Sequence, residues 1–539
     1  MTDVLSYGGP DADGYYTDGH IALGHRRLSI IDLSDAGTQP MYWKQYVLIF
    51  NGEIYNYQEI REELLSLGEV FSSGSDTEVL LRGWSRWGSA VIDKCRGMFA
   101  FAIWDTEAQR LTLCRDRLGV KPLYYYYKDG LFMFASELKS FHQHPDFDKA
   151  IDHHAVVTFL RQEYIESPNS IFRWVKKVPP GHFLHFSKIK GIELASYWKA
   201  RNFLKINHRI TKSEALETAE NLLIASCRLR MVADVPVGIF LSGGTDSSLV
   251  TALLQREAAQ PISTFTIAFE DRRYNEGGHA RLIAEHLGTQ HNELLCTPRD
   301  FQETIDALPE IYDEPFGGES AIPTHLVARL AKNKVKVSLS ADGGDELFGG
   351  YAKYTFTRKN YAALSAMPHL MRSALSRWLS PENAEQLQRW EHLPVLNRYS
   401  NLAQKLPKLR RALMARSLED FFYEASTYAD AAEMEYLLEG ECPANPLLAH
   451  PVGQDGMLSY LGLLDIEHYL EGEVLAKVDR ATMHTALEGR EPLLDHQLVE
   501  FALSLPDHIK MHHGEPKFIL KNMYRNPSPG VPNRAFRCQ

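Results

Sequence analysis

Two kinds of hydrophobic patterning divide this chain. Up to about residue 200 the apolar positions come in short, strand-forming runs. These are Tyr46-Val-Leu-Ile-Phe50, Met98-Phe-Ala-Phe-Ala-Ile-Trp104, Arg110-Leu-Thr-Leu-Cys114 and Leu131-Phe-Met-Phe-Ala135, set off by Asn-Gly, Asp-Gly and charged turns. Helical periodicity is sparse there, chiefly over 57–67 and 77–87. Beyond about Ile210 strands and helices alternate: strand 237–241, a helix from Ser247, strand 262–269, helix 276–287, strand 293–296, helix 321–332 and strand 335–340. The change predicts two domains, 1–200 and 210–539, with Lys188 to His208 as the candidate linker. The alternation in the second predicts a doubly wound α/β sheet covered on both faces. The stretch Pro381 to Glu439 reads as a helical addition whose Leu and Arg residues are core and solvated face.

The first strand of the second domain breaks into Leu241-Ser-Gly-Gly-Thr-Asp-Ser-Ser248 and then a helix. Small residues and hydroxyls where a strand meets a helix N-terminus make an anion site, because the first N–H groups of the helix have no partner of their own. Gly243 and Gly244 permit left-handed backbone and a close approach by phosphate. A Walker loop carries lysine before its hydroxyl residue, whereas Asp246 stands in that region here, and a carboxylate beside phosphate implies a bridging Mg²⁺. The plain alternative is a glycine-serine turn after a buried strand. Six matching positions at roughly 7% each make that coincidence rarer than about one in ten thousand for a chain of this size. In an open α/β sheet such loops meet their ligand at the carboxyl ends of the strands. Phosphates are therefore expected at Ser242, Gly243, Gly244, Ser247 and Ser248, with the apolar Leu241 and Ile267 placed to flank the group that carries them.

Composition narrows the class without naming the chemistry. With 44% hydrophobic and 24% charged residues over 539, the chain is an ordinary globular protein able to bury large cores. A net charge of −11 argues against a nucleic-acid surface. The six cysteines are scattered with no C-x-x-C pair, which favours a reducing cytoplasm over a disulfide or zinc scaffold. No apolar run is long enough for a membrane span, and no signal peptide is evident. His153-His154, His512-His513 and His142-Gln-His144 lack metal spacing and read as surface residues.

The 241–248 loop resembles the SGGxDS loop of the PP-loop ATP pyrophosphatases, which cleave ATP to AMP and pyrophosphate, and the resemblance implies that Leu241 and Ile267 flank adenine. Earlier in the chain come Gly9-Pro-Asp11, His25-Arg-Arg-Leu-Ser-Ile-Ile-Asp32, Gln39-Pro-Met41, Asn51-Gly-Glu-Ile-Tyr-Asn56, Ser73-Gly-Ser-Asp-Thr-Glu78 and Arg115-Asp-Arg-Leu-Gly-Val-Lys-Pro122. Singly each has a plain reading: Asn51-Gly52 fits a hairpin turn, and Asp76 fits the N-cap of a helix starting at Thr77. Together and in this order they resemble the class II glutamine amidotransferase domain of the asparagine synthetases, an N-terminal-nucleophile hydrolase of αββα layers. The resemblance implies that Arg27 grips the glutamine α-carboxylate, Glu53 and Asp76 hold its ammonium, and Asn51 with the Gly52 N–H forms an oxyanion hole.

Motifs of the second domain fit the same family. Ser340-Ala-Asp-Gly-Gly-Asp-Glu-Leu-Phe-Gly-Gly-Tyr351 resembles its acidic loop, with Ala341 where glycine is usual and next to the nucleotide. In isolation it could be a solvated turn. The resemblance implies that Asp246 and Asp345 hold Mg²⁺ on pyrophosphate while Asp342 orients the acceptor, and that Ser340 and Ala341 contact ATP. Tyr312-Asp-Glu-Pro-Phe316, Ser320-Ala-Ile-Pro-Thr324, Leu475-Ala-Lys-Val-Asp-Arg-Ala-Thr-Met483 and Ala486-Leu-Glu-Gly-Arg-Glu-Pro-Leu-Leu-Asp495 also match, with Lys477 and Arg480 as substrate or phosphate contacts. Gly317-Gly318-Glu319 replaces the usual Ala-Asp-Ser.

Two departures qualify these expectations. The family nucleophile is a cysteine exposed by removal of the initiator methionine, whereas this sequence opens Met1-Thr-Asp-Val-Leu-Ser-Tyr-Gly8 and its first cysteine is Cys95. Gly8 stands where relatives carry arginine, and Thr2 lies too close to Gly9-Pro-Asp11 to replace the nucleophile. Either translation starts upstream of Met1 or the chain cannot hydrolyse glutamine. At the other end Lys517-Phe-Ile-Leu-Lys521 matches a family helix, but the lysine-bearing Arg-x-Lys-x-Gly-Phe segment expected next is replaced by Pro- and Gly-rich sequence that resembles a frameshifted or truncated end.

The expected reaction is ATP-dependent adenylation of the aspartate side chain, followed by attack of glutamine-derived ammonia. Two rivals remain: amidation of a sugar uronic acid for surface polysaccharide, and a catalytically impaired remnant that still binds ATP or glutamine. Expected partners are small molecules, with a homodimer left open and neither nucleic acid nor membrane.

Overall fold

The computed structural model describes residues 1–271, 275–379, 402–429, Met434 and 454–525. The tail from residue 526 and most of the 381–439 addition lie outside the described residues, although helices Leu402–Met414 and Leu418–Ser426 fall within it.

Sixteen strands are described. The first eleven are β1 (Ala12–Asp18), β2 (Ile21–Arg27), β3 (Met41–Trp43), β4 (Tyr46–Ile54), β5 (Gly97–Asp105), β6 (Arg110–Arg115), β7 (Tyr124–Lys128), β8 (Leu131–Ala135), β9 (Val175–Lys177), β10 (His182–Ser187) and β11 (Gly191–Ser196). They form a six-stranded antiparallel sheet in the order β11-β10-β6-β5-β4-β3, a three-stranded antiparallel sheet β8-β7-β9, and the ribbon β1-β2. Strand β5 is buried on both faces, so its period of two sorts side chains between two cores. Phe99, Phe101 and Ile103 pack with Leu64, Val79 and Trp84 of helices Tyr57–Ser66 and Asp76–Trp87. Ala100, Ala102 and Trp104 face the aromatic residues Tyr125, Phe132 and Phe134 of the second sheet.

The remaining strands are β12 (Val237–Phe240), β13 (Ser263–Phe269), β14 (Gln290–Cys296), β15 (Val337–Leu339) and β16 (Glu488–Arg490). All pair in parallel, in the order β14-β13-β12-β15-β16. Leu249, Val250 and Leu253 of helix Thr245–Glu257 pack into one core, while Val327, Ala328 and Ala331 of helix Ala321–Lys332 pack with Phe265 and Leu487 in another. The strand order reverses between β12 and β15, and ligand crevices open at such a point.

Three local readings are corrected. The stretch from Lys188 to His208 is not a plain linker, because Gly191–Ser196 is the edge strand of the six-stranded sheet. Asn51-Gly52 is no hairpin turn: both residues lie inside β4 opposite Ala100 and Phe99. Asp76 does not cap its helix, since the Ser75 side chain accepts from Glu78 N and the Asp76 carboxylate accepts from Ile54 N at 2.9 Å.

The two halves meet through buried ion pairs. Basic residues of the first half reach acids of the second: Lys121 to Asp479 at 3.0 Å, Arg115 to Glu471 at 2.8 Å, Arg96 to Asp495 at 3.0 Å and Lys177 to Glu314 at 3.2 Å. Arg490, wholly buried, runs the other way, 2.7 Å from Glu488 and 3.4 Å from Glu53 of β4. Among the described residues no helix is long and apolar enough to cross a membrane, and the paired histidines His153, His154, His512 and His513 are exposed.

Candidate functional site

The nucleotide loop leaves the sheet at Leu241, whose N–H donates to Phe265 O at 2.9 Å. Its side chain is 1% exposed and packed on Ala280 and Ala284, so Leu241 offers the crevice only its backbone. Ile267 on the neighbouring strand is half-buried. Gly243 takes a φ of +84°, and a Cβ there would press on His279 and Ala280 of helix Gly277–Leu287. Ser242 Oγ lies 3.0 Å from Ser247 Oγ and accepts from Gly244 N at 3.2 Å, while Ser248 Oγ donates to Gly244 O at 2.7 Å. Gly244 begins helix Thr245–Glu257 without a side-chain cap, so the first-turn N–H groups are open to an anion.

The acidic loop arrives from β15. Ser340 N donates to Arg490 O at 2.9 Å, continuing the β15–β16 pairing, and the Ser340 hydroxyl donates to Asp342. Lys477 Nζ stands 3.9 Å from the same carboxylate. Gly343 (φ +97°) and Gly344 carry the chain over Leu494 and the Asp246 carboxylate, either of which a side chain would strike. Asp246, Asp342 and Asp345 thereby share one crevice. Burial pushes the Asp246 carboxyl up to about 6, against the pull of Lys517 and aided by the charges of Asp345 and Asp342.

The donor set fits a cation. Asp246 Oδ1 is buried without a hydrogen-bond partner, and Oδ2 accepts from Lys517 Nζ at 2.6 Å. The same ammonium lies 2.8 Å from Asp345 Oδ1, so it takes the place of positive charge between the two expected metal ligands. Two carboxylates are enough for Mg²⁺, which completes its shell with phosphate oxygens and water.

The first half holds a cavity of about 910 Å³, lined by Arg27, Asn51, Gly52, Glu53 and Asp76 together with Asp479, Arg480 and Glu488 from the second half. Arg27 donates through Nη1 to Ser34 O at 2.8 Å and through Nη2 to Ile31 O and Asp32 O, which fixes its guanidinium plane and leaves donors over for a carboxylate. Gly52 (φ +143°) lies so close to Met98 and Phe99 on β5 that no side chain fits. Asn51 Nδ2 is 3.5 Å from Ser136 Oγ. Burial raises the Asp76 carboxyl to about 6 and the Glu53 carboxyl well above its usual range, with Glu488 adding to both. Glu53 Oε2 has no hydrogen-bond partner, a second orphaned acid oxygen that an ammonium would satisfy.

Met1 and Thr2 also line this cavity, but among the described residues no cysteine does. Cys95 and Cys114 are buried elsewhere, and burial pushes the Cys95 thiol up to about 12. Arg480 faces the first half, donating to Ser136 O at 3.0 Å and lying 3.4 Å from Glu137, while Lys477 on the same helix reaches the acidic loop. The replaced segment Gly317-Gly318-Glu319 packs tightly: a side chain at Gly317 would meet Glu163, and one at Gly318 would meet Phe316 and Glu473. The site reading missed Lys517, because a lysine heading an apolar helix has nothing in its neighbours to distinguish it from a solvated one.

Residues 218–531 match the family model for asparagine synthase, and residues 1–198 match that for a glutamine amidotransferase domain. The chain belongs to the asparagine synthase family. It is 32% identical to asparagine synthetase [glutamine-hydrolyzing] 1 of Bacillus subtilis over 97% of this chain and 80% of that protein. To synthetase 3 of the same organism it is 30% identical over 98% and 83%. To a putative asparagine synthetase of Mycobacterium bovis it is 33% identical over 96% and 79%. Arg27, Asn51, Gly52, Glu53 and Asp76 thus lie within the segment matched as a glutamine amidotransferase domain, and the nucleotide crevice within the segment matched as asparagine synthase.

Proposed function

We propose that this member of the asparagine synthase family makes asparagine: it adenylates the aspartate side chain at the second crevice and replaces AMP by ammonia drawn from glutamine. The observation that carries the reading is the facing pair Asp246 and Asp345 at the open end of the nucleotide loop, with one oxygen of Asp246 orphaned. In the reaction, an aspartate carboxylate oxygen attacks the α-phosphorus and the bond to pyrophosphate breaks. Ammonia then attacks the acyl carbon, loses a proton, and AMP departs with the bonding pair.

Ser242, Ser247 and Ser248 with the open helix N–H groups bind and orient phosphate. Asp342, positioned by the Ser340 hydroxyl and near Lys477, orients the acceptor. Asp246 and Asp345 would hold Mg²⁺, which when bound neutralises phosphate charge and holds pyrophosphate as a leaving group. In the first cavity Arg27 binds the glutamine carboxylate, Glu53 and Asp76 its ammonium, and Asn51 and Gly52 an oxyanion. Domain limits of 1–200 and 210–539 belong to the same proposal.

The test is ATP–pyrophosphate exchange, and amide formation from ammonia, with aspartate and a uronic acid offered in parallel. Aspartate-dependent exchange supports the reading. Exchange with the uronic acid alone moves the enzyme to sugar amidation, and ATP binding without exchange to any carboxylate makes it a non-catalytic protein.

A further inference from the structure

We infer that Lys517 is a built-in counter-cation of the nucleotide crevice, which occupies the metal position between Asp246 and Asp345 and yields it when a divalent cation enters. Its ammonium donates to Asp246 Oδ2 at 2.6 Å and lies 2.8 Å from Asp345 Oδ1. The chain is shaped to deliver it there. Lys517 N donates to Phe348 O at 3.3 Å, which ties the residue to the end of the acidic loop. Its backbone sits at φ +54°, a left-handed conformation uncommon for a residue with a side chain and maintained only where the surroundings enforce it. Gly350 lacks a side chain where one would collide with both the Asp345 carboxylate and the Lys517 Cε, so the slot through which the lysine reaches the crevice exists because residue 350 is glycine.

Two carboxylates brought together repel, and the buried one, Asp246, is costly to desolvate unless a cation joins it, while Asp345 remains partly exposed. One ammonium joins this pair and leaves Asp246 Oδ1 unpartnered. A divalent ion satisfies both acids and the orphaned oxygen, but it must first displace the ammonium, because the two cations would share ligands at contact distance. The consequence is an entry rule. The free metal binds weakly to the resting enzyme, whereas a metal already carrying nucleotide phosphates brings negative charge on which the displaced ammonium can settle. This rests on the reading of Asp246 and Asp345 as the metal ligands, and it adds an order of binding.

The experiment reads metal binding alone, with Mn²⁺ as the probe, by electron paramagnetic resonance and calorimetry on the full chain without nucleotide or acceptor. Lys517→Met is expected to bind Mn²⁺ about tenfold or more tighter than the parent, and to melt at lower temperature without metal but recover on adding it. Lys517→Gln keeps hydrogen bonds to the carboxylates without the charge, and covers the case in which Lys517→Met does not fold; the same gain in Mn²⁺ affinity is expected. Unchanged Mn²⁺ affinity in the folded variant overturns the inference. If Asp246→Asn also leaves both Mn²⁺ binding and metal-dependent exchange unaffected, the ligand assignment falls as well. If Asp246→Asn alone abolishes binding and exchange, the assignment stands and only the role of Lys517 is lost.

Discussion

The two crevices solve one problem differently. Each brings two acids together with a buried oxygen left over: Glu53 and Asp76, both buried, in the first half, and buried Asp246 with the partly exposed Asp345 in the second. In the first cavity the charges are fastened by groups that stay in place: Asp76 by the Ile54 N–H, Arg27 by three loop carbonyls, and Glu53 by Arg490 from the far side of the interface. In the second they are held by one lysine side chain that a ligand can replace. On the proposed function the first is a site for an intact amino acid, which gains from rigid donors because its guest arrives with charges already fixed. The second is then a site for a metal nucleotide, which must exchange one set of counter-charges for another.

The sharpest contrast concerns nucleophiles. On the proposed function the second crevice needs none from the protein, since the attacking groups are substrates, while the first has acids, arginines and an amide but no cysteine among the described residues that line it. The polypeptide of residues 1–539 is therefore expected to release no glutamate from glutamine above buffer. Glutamate formation by the 1–539 polypeptide would show that another group, such as Thr2, attacks.

Arg490 ties one crevice to the other half, and its replacement tests that fastening. Arg490→Met leaves Glu53 and Glu488 buried without their partner, and losing one member of such a set costs about 3–5 kcal/mol. Denaturant melts should show that loss, and a variant of parental stability would mean that water or rearrangement replaces the arginine. Asp246→Asn tests the exchangeable site. It should leave melting little changed or improved, because an acid raised by burial is removed, and slow ATP–pyrophosphate exchange about 10²–10³-fold. A variant that retains metal-dependent exchange removes Asp246 from the site.

Legibility in the sequence followed the same division. Runs such as Met98 to Trp104 were readable because both faces of β5 are apolar, and the glycine-serine loop because its chemistry is local. The edge strand Gly191–Ser196 was hidden by its polar exposed face beside Lys188 and Lys190, and β16 by being Glu488-Gly-Arg490, a strand only through its pairing with β15. Asn51-Gly52 carried the signal of a turn but is held straight by β5. Candidate acids could be named from motifs, but what neutralises them could not. Arg490 lies 437 positions from Glu53 along the numbering and Lys517 lies 271 from Asp246, and such pairings exist only after folding.

The smallest expected effect is a slope. The Asp76 carboxyl rises from 3.8 to about 6, with burial as the largest cause and the Ile54 N–H opposing it. A folded carboxyl above its unfolded value binds the proton more tightly in the native state, so its contribution to stability grows as pH falls from about 6 towards 4 and is lost again as pH rises through 6. At full size the displacement corresponds to about 3 kcal/mol, and neighbouring acids that titrate together reduce what any one residue shows. Asp76→Asn should therefore flatten the rise in stability on going from pH 6 to pH 4 by about 1–3 kcal/mol relative to the parent. Above pH 6 it should gain by escaping a buried charge, less what it loses at the Ile54 N–H. Parallel stability–pH curves for parent and variant would mean that Asp76 is ionised throughout this range, its carboxylate held by the Ile54 N–H more strongly than burial opposes it.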